Sequence, residues 1–230
     1  MLLHIVRHGQ TNWNAEHRIQ GQLDSALDGL GIEQASQRGK DFTDTQFSAV
    51  FSSSSLRTRQ TTGHLLDNLT RNLTSSHSDD LKNSVLYMDE LREVCLGVWE
   101  GQLWRDIQAA YPDMVEAHRT ASDEFVVEGA ETYFQTQERG IKAIESIINR
   151  QEDATHFDVT DEVLIVSHGA IMKTIFAYYL NIPLTSIYTL PQLPNCAHCI
   201  IEVKDQQRKV VQIAGVPTEQ TEWSNKPQPQ

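Results

Sequence analysis

Two short apolar runs constrain this chain more than any other feature. Leu2-Leu-His-Ile-Val6 is followed by Arg7-His8-Gly9, and Val163-Leu-Ile-Val166 by Ser167-His168-Gly169. An unbroken run of Val, Ile and Leu is the pattern of a strand covered on both faces, as in parallel sheets packed between helices. Each run then stops at one spacer residue and a His-Gly pair. The chain therefore ends two buried strands in an imidazole.

The segments between these runs carry helical and strand patterns in alternation. Asp28 precedes a helical pattern through Ile32, Ala35 and Phe42, with Glu33 suited to its first turn. Ser48–Ser52 and Val85–Met88 read as strands. The serines after Ser52 suit the cap of a helix over 56–69, with Leu65, Leu66 and Leu69 on one face. A helix over 103–111 is interrupted by Pro112. Phe134, Ile141, Ile144 and Ile148 keep helical spacing and predict a core-facing stripe. Ile171–Leu180 is an apolar helix, and 196–203 with 210–214 form a terminal hairpin. Residues 75–80 and 151–161 are polar connections. The expectation is one α/β domain over 1–217, a three-layer sandwich whose mostly parallel central sheet is flanked by helices. Residues 101–129 are expected as a helical insertion over the site, and 218–230 as a polar tail.

Charge narrows the function classes. The 230 residues carry 19 basic and 31 acidic side chains, a formal net charge of −12. A nucleic-acid or anionic-membrane binder has a net positive footprint, so neither partner is expected. A local arginine cluster leaves a small anionic substrate open. No run is long enough to span a membrane, and Leu2–Val6 lacks the flanks of a signal peptide. Cys95, Cys196 and Cys199 are odd in number, which points to a reduced, cytoplasmic setting. Cys196-Ala-His-Cys199 has no second pair, so no metal site is expected there. Asn68-Leu-Thr and Asn72-Leu-Thr match a glycosylation acceptor by chance.

Ligands in open α/β sheets bind beyond the carboxyl ends of the strands. Arg7-His8-Gly9, the serines with Arg57, Glu93 and His168-Gly169 each follow a strand. Two arginines and two histidines at one edge favour phosphate, which the planar guanidinium fork matches. Glycines after each histidine leave backbone N–H groups within reach, and helix starts after Gly169 and the serines add positive dipole ends. No cluster has recognised metal-ligand spacing, so neither metal nor cofactor is expected. Arg7 and Arg57 would hold one histidine neutral, fit to be a nucleophile. A carboxyl group must then protonate the leaving oxygen: Glu93 leads, with Glu100 as rival. Ser167 gives His168 no cationic neighbour in sequence, which suits a proton-bearing partner.

The remaining polar and aromatic residues read more plainly. His4 is packed or partly exposed, His64 and His198 are unremarkable, and Arg59 pairs at the surface. Trp13, Trp99 and Trp104 either pack in the core or shape the pocket mouth.

These residues resemble the histidine phosphatase superfamily, which also contains cofactor-dependent phosphoglycerate mutases. "VRHGQTNWN" is similar to its RHG signature, and "RIQGQLDSALDGLGIEQA" to the segment that follows. "VFSSSSLRTRQTT" looks like its second-arginine segment, "LREVCLGVWEG" like the one carrying the acid, and "EGAET" like its Gly-x-Glu-Ser/Thr stretch. "LIVSHGAIMK" resembles the second histidine segment. The resemblance implies a phosphoglycerate mutase-like fold, His8 as phosphorylated nucleophile, and Arg7, Arg57 and His168 gripping the phosphoryl group. It makes Glu93 the proton donor, and places Asn14 and Gln20, with Gly21 beside them, in the phosphate pocket. Ser54-Ser55 stand where Asp-Leu is common, and Glu128 where Pro often precedes the Gly.

"LGVWEG" and the short interval before His168 resemble the phosphatase branch, so water is the expected acceptor and a small phosphorylated metabolite the expected substrate. A phosphoglycerate mutase is the alternative, and a non-catalytic phosphate-binding module a third. The terminal hairpin edge makes a homodimer possible.

Overall fold

The computed structural model describes residues 1–69, 81–121, 123–153 and 161–220. Among them, seven strands form one sheet: β1 (Leu2–Arg7), β2 (Phe47–Ser53), β3 (Leu86–Met88), β4 (Glu162–Ser167), β5 (His198–Lys204), β6 (Gln207–Ile213) and β7 (Val216–Pro217). Their order is β3-β2-β4-β1-β5-β6-β7. β3, β2, β4 and β1 are parallel, whereas β5, β6 and β7 add antiparallel pairs. The two apolar runs are direct neighbours, and Arg7 pairs with Ser167. That register sets His8 and His168 side by side one residue past the sheet. Leu3, Ile5 and Val6 on β1 and Val163 to Val166 on β4 are buried, as strands covered on both faces must be.

Helices α1 (Asn12–Ala15), α2 (Gly29–Asp41), α3 (Leu56–Leu69), α4 (Trp104–Ala110), α5 (Pro112–Arg119), α6 (Tyr133–Glu152) and α7 (Gly169–Tyr179) complete the described fold. Two core clusters lie on opposite faces of the sheet, since Ile165 joins one while Leu164 and Val166 join the other. Asp28 caps α2 by accepting the Gly31 N–H at 2.8 Å. Glu33 falls outside the first turn of α2, because the helix begins at Gly29. Pro112 does not merely end α4; its fixed φ and missing N–H suit the first turn of α5, which it opens.

Three expectations are corrected. Ser54 and Ser55 do not take the first N–H of α3; the Leu56 N–H donates to Asp24 at 2.8 Å. The buried stripe of α6 is Tyr133, Thr136, Gly140, Ala143, Ile144, Ile147 and Ile148, while Phe134 is 62% exposed and Ile141 only half-buried. Gly140 explains the shift: a Cβ there would sit 2.9 Å from Ile175 on α7, so the contact line runs along the small residues. Thr218, expected at the start of a loose tail, is buried, and its hydroxyl donates to the Val210 carbonyl. Residues 75–80, Asn72, the middle of the 151–161 connection and 221–230 lie outside the described residues.

His4 packs under α2, stacked on His198 and edge-on to Phe42 and Phe47. The two imidazoles share a hydrogen bond of 3.0 Å, with Glu162 at 3.5 Å from His4. Burial lowers His4 to about 4; burial, then His4 and Arg38, lower His198 to about 3. In the unfolded chain each imidazole takes up a proton near pH 6.5. Below that pH the unfolded state binds more protons than the folded one. The stability is therefore complete above about pH 6.5 and declines as pH falls toward the folded values, by up to about 1.4 kcal/mol per pH unit for each group. The urea midpoint should fall between pH 7 and pH 5, and His4→Gln should flatten that fall. An unchanged slope in the variant would remove His4 as its source.

Candidate active site

The sheet edge assembles the predicted cluster and fixes both histidine tautomers. His8 is 3% exposed, and its Nδ1 lies 2.7 Å from the Gly9 carbonyl. A carbonyl only accepts, so Nδ1 carries the proton and Nε2 keeps its lone pair. His168 is fully buried; its Nδ1 accepts from Arg57 Nε at 3.1 Å. Its proton is therefore on Nε2, which donates to Ser53 Oγ at 2.8 Å. The two rings stand 5.3 Å apart, centroid to centroid.

Both imidazoles are held well below their ordinary pKa. Burial is the largest cause for each, followed by Arg57; Arg7 adds to His8, and His8 and Arg7 add to His168. The neutral state expected for one histidine thus holds for both. This corrects the distinction drawn from the spacer residue. Ser167 is no cation, but the fold places Arg57 against His168, so His168 can donate only as a neutral Nε2–H.

Arg57 is 1% exposed. Besides His168 it donates to the carbonyls of Leu23 at 2.8 Å and Gly21 at 2.7 Å. Burial lowers it to about 10, partly offset by Glu93 and Asp24, so it remains a cation at neutral pH. Arg7 donates through Nη1 to the Leu193 carbonyl, and its buried Nε has no hydrogen-bond partner among the described residues. Gly169 leaves that guanidinium its room: a Cβ there would meet Arg7 Nε at 3.3 Å.

The expected backbone cradle has other occupants. The Gly9 N–H donates to Thr61 Oγ1, and a Cβ on Gly9 would meet the Gly31 carbonyl at 2.5 Å. Gly9 therefore serves contact with α2. At the start of α7, Ala170 and Ile171 both donate to the Glu93 carboxylate at 3.0 Å. A carboxylate suits that positive helix end as a phosphate would. Glu93 is also close enough to Arg7 and Arg57 to raise the basicity of both.

Glu100, the rival acid, is a brace. One of its oxygens accepts from both Gln22 N and Leu96 N at 2.8 Å, under the left-handed turn at Gly21. Any side chain on Gly21 would collide with it. Asn14 and Gln20 are brought together by Thr11, whose hydroxyl lies within hydrogen-bond distance of both side-chain oxygens. Sequence reasoning missed Asn195, which donates to the His8 carbonyl at 3.1 Å and reaches Asn14 at 3.4 Å. It also missed Ser53 as the partner of His168, and Arg92, whose Nη2 holds the Gln22 carbonyl. An Asn after a proline and one serine in a run of four offered no distinguishing signal.

A cleft of about 740 Å³ adjoins Asn14, walled by Trp13, Arg18, Trp104, Arg105 and Gln108. Trp13 and Trp104 thus shape a mouth, while Trp99 is buried among Phe125, His118 and Tyr111. Arg59 stacks on Tyr87, away from the cluster of histidines. Among the described residues no three His, Cys, Asp or Glu side chains converge as metal ligands, and no helix is long and apolar enough to cross a membrane.

Known proteins share this sequence and this shape. A metal-independent phosphoserine phosphatase of Arabidopsis thaliana is 26% identical over 88% of this chain and 76% of its own. The fructose-2,6-bisphosphatase TIGAR of Bos taurus is 36% identical over 78% of this chain and 76% of its own. The solved structure of Bacillus stearothermophilus YhfR superposes with a TM-score of 0.79 at 29% identity, covering 94% of this chain and 96% of that one. The model of the histidine phosphatase superfamily, branch 1, matches residues 3–215. The chain belongs to that superfamily, as a phosphomonoester hydrolase with the phosphoglycerate mutase-like fold.

Proposed function

We propose that this chain hydrolyses a small phosphomonoester, without a metal, through a phosphohistidine on His8. The observation that carries this reading is the tautomer of His8. The Gly9 carbonyl holds the Nδ1 proton, and burial beside two arginines keeps the ring neutral. Nε2 therefore presents a lone pair with no proton to lose first.

Nε2 attacks phosphorus as the bond from phosphorus to the leaving oxygen breaks. Arg7 and Arg57 oppose the charge on the equatorial oxygens, joined by the His168 Nε2–H once it turns from Ser53 Oγ to the phosphoryl group. Glu93 enters this step as the carboxylic acid and gives its proton to the departing oxygen, leaving the carboxylate. Its Oε2 accepts one amide, from Ala170, and keeps a site for that proton. Water then attacks the phosphohistidine, Glu93 takes the water's proton, and the P–N bond electrons return to Nε2. Asn14 and Gln20 line the phosphate end, and the leaving group extends toward the cleft of Trp13 and Trp104.

Acid-labile, base-stable phosphate should be trapped on the protein during turnover of a phosphomonoester panel, with rates unaffected by a chelator. Turnover confined to isomerising phosphoglycerate, primed by a bisphosphorylated cofactor, would overturn the hydrolytic reading.

A further inference from the structure

We propose that the Glu131–Arg139 ion pair aims Glu93, making both members positioning residues for proton transfer. This rests on the reading of Glu93 as proton donor. Glu131 is the acid of the "EGAET" stretch, and Arg139 lies two helical turns further, on α6.

Arg139 binds Glu131 in a fork, with Nε to Oε1 at 3.0 Å and Nη2 to Oε2 at 2.8 Å. The same guanidinium reaches three carbonyls around the acid. Nη1 donates to Glu90 and Arg92, both at 2.8 Å, and Nη2 to Glu93 at 3.3 Å. Those five bonds match the five N–H donors an arginine has. Glu131 holds the other side of the turn: Oε2 accepts the Cys95 N–H at 2.9 Å, and the Glu131 N–H donates to the Cys95 carbonyl at 2.9 Å. Gln22 Nε2 links the Glu93 carbonyl, at 3.1 Å, to Glu131 at 3.4 Å.

The backbone on both sides of Glu93 is thus fixed to α6 and to Glu131 just before it, while its carboxylate is fixed to the start of α7. An exposed ion pair stabilises little. This one is mostly buried, and every remaining Arg139 donor, with the Glu131 bonds to Cys95, goes to the segment carrying the acid. A lysine concentrates its three donors on one nitrogen and could not reach the same five acceptors. Displacement of about 1 Å in a group that must meet a departing oxygen can cost about 10²-fold in rate.

The readout is the dependence on the leaving group. An alkoxide needs a proton to depart, whereas p-nitrophenolate does not. The quantity to measure is kcat/KM, which includes leaving-group expulsion but not the later hydrolysis of the phosphoenzyme. Arg139→Gln should lower kcat/KM for glycerol phosphate by about 10²-fold and for p-nitrophenyl phosphate by less than about fivefold. Glu93→Gln should show the same selectivity, and adding Arg139→Gln to it should cost nothing further.

Equal losses on both substrates in Arg139→Gln, with Glu93→Gln still discriminating, would overturn the positioning role alone. Loss of discrimination in Glu93→Gln itself would overturn the acid assignment. Circular dichroism checks folding. If Arg139→Gln unfolds, the isosteric Glu131→Gln, which keeps the shape but weakens the fork, is judged by the same ratio.

Discussion

His8→Ala should lower kcat for any phosphomonoester by roughly 10⁴-fold or more and abolish the trapped phosphoenzyme, because it removes the atom that forms the covalent bond. The residual rate should stay above the uncatalysed one, since Arg7, Arg57 and His168 still bind and polarise the phosphoryl group. The fold should survive. β1 keeps its pairing with β4 and β5, and the His8 carbonyl keeps Asn195 and the Cys196 N–H. The protein lost is one buried ring, so a changed melting profile alone would not explain the rate. Trapping phosphate on the wild type and the variant under the same alkaline quench decides the matter. Full activity in His8→Ala would end the phosphohistidine reading.

Arg57→Ala should have the second-largest effect, and it acts on rate and stability together. The buried side chain satisfies the Gly21 and Leu23 carbonyls and His168 Nδ1. Truncation leaves those acceptors unpaired at about 1–3 kcal/mol each, moderated by any water that enters. A loss of about 3 kcal/mol in unfolding free energy and of about 10³-fold in kcat/KM is expected. Arg57→Lys keeps the charge but lacks the three separate nitrogens that reach these acceptors, so it should recover only part of either.

The pH profile supplies an independent sign. Arg57 helps hold His8 below its ordinary pKa, so its removal moves His8 upward. His8 then protonates at a higher pH, and the acid limb of kcat/KM should shift to higher pH. A limb that stays in place would mean that Arg57 does not set the protonation of His8.

The parallel arrangement of β1 and β4 was legible because nothing but burial on both faces explains such apolar runs. The convergence of the candidate site residues was legible for a related reason. His8, Arg57, Glu93 and His168 each follow a strand closely, so their position along the chain fixes their position in space. The contact face of α6 was not legible in full. Helical spacing marked Phe134 and Ile141, but Gly140 and Ala143 admit α7 more closely, and packing follows the closest approach. Glu100 was ambiguous in sequence because two carboxylates stood seven residues apart. Only the turn at Gly21 shows that its oxygen is committed to backbone amides.

The sequence by itself determined the fold class, the family and the charged candidates of the site, because these depend on pattern and residue type along one segment at a time. The tertiary structure decided what each group does with its neighbours. It placed Arg57 against His168, despite a neutral spacer in sequence, and so made both histidines neutral. It set Glu93, rather than a phosphate, on the first amides of α7, and turned Glu131 and Arg139 toward the segment that carries it. Hydrogen bonds and Coulomb interactions act over a few ångströms, and the partners here lie from about thirty to more than a hundred residues apart in the chain. No local pattern can specify such distances.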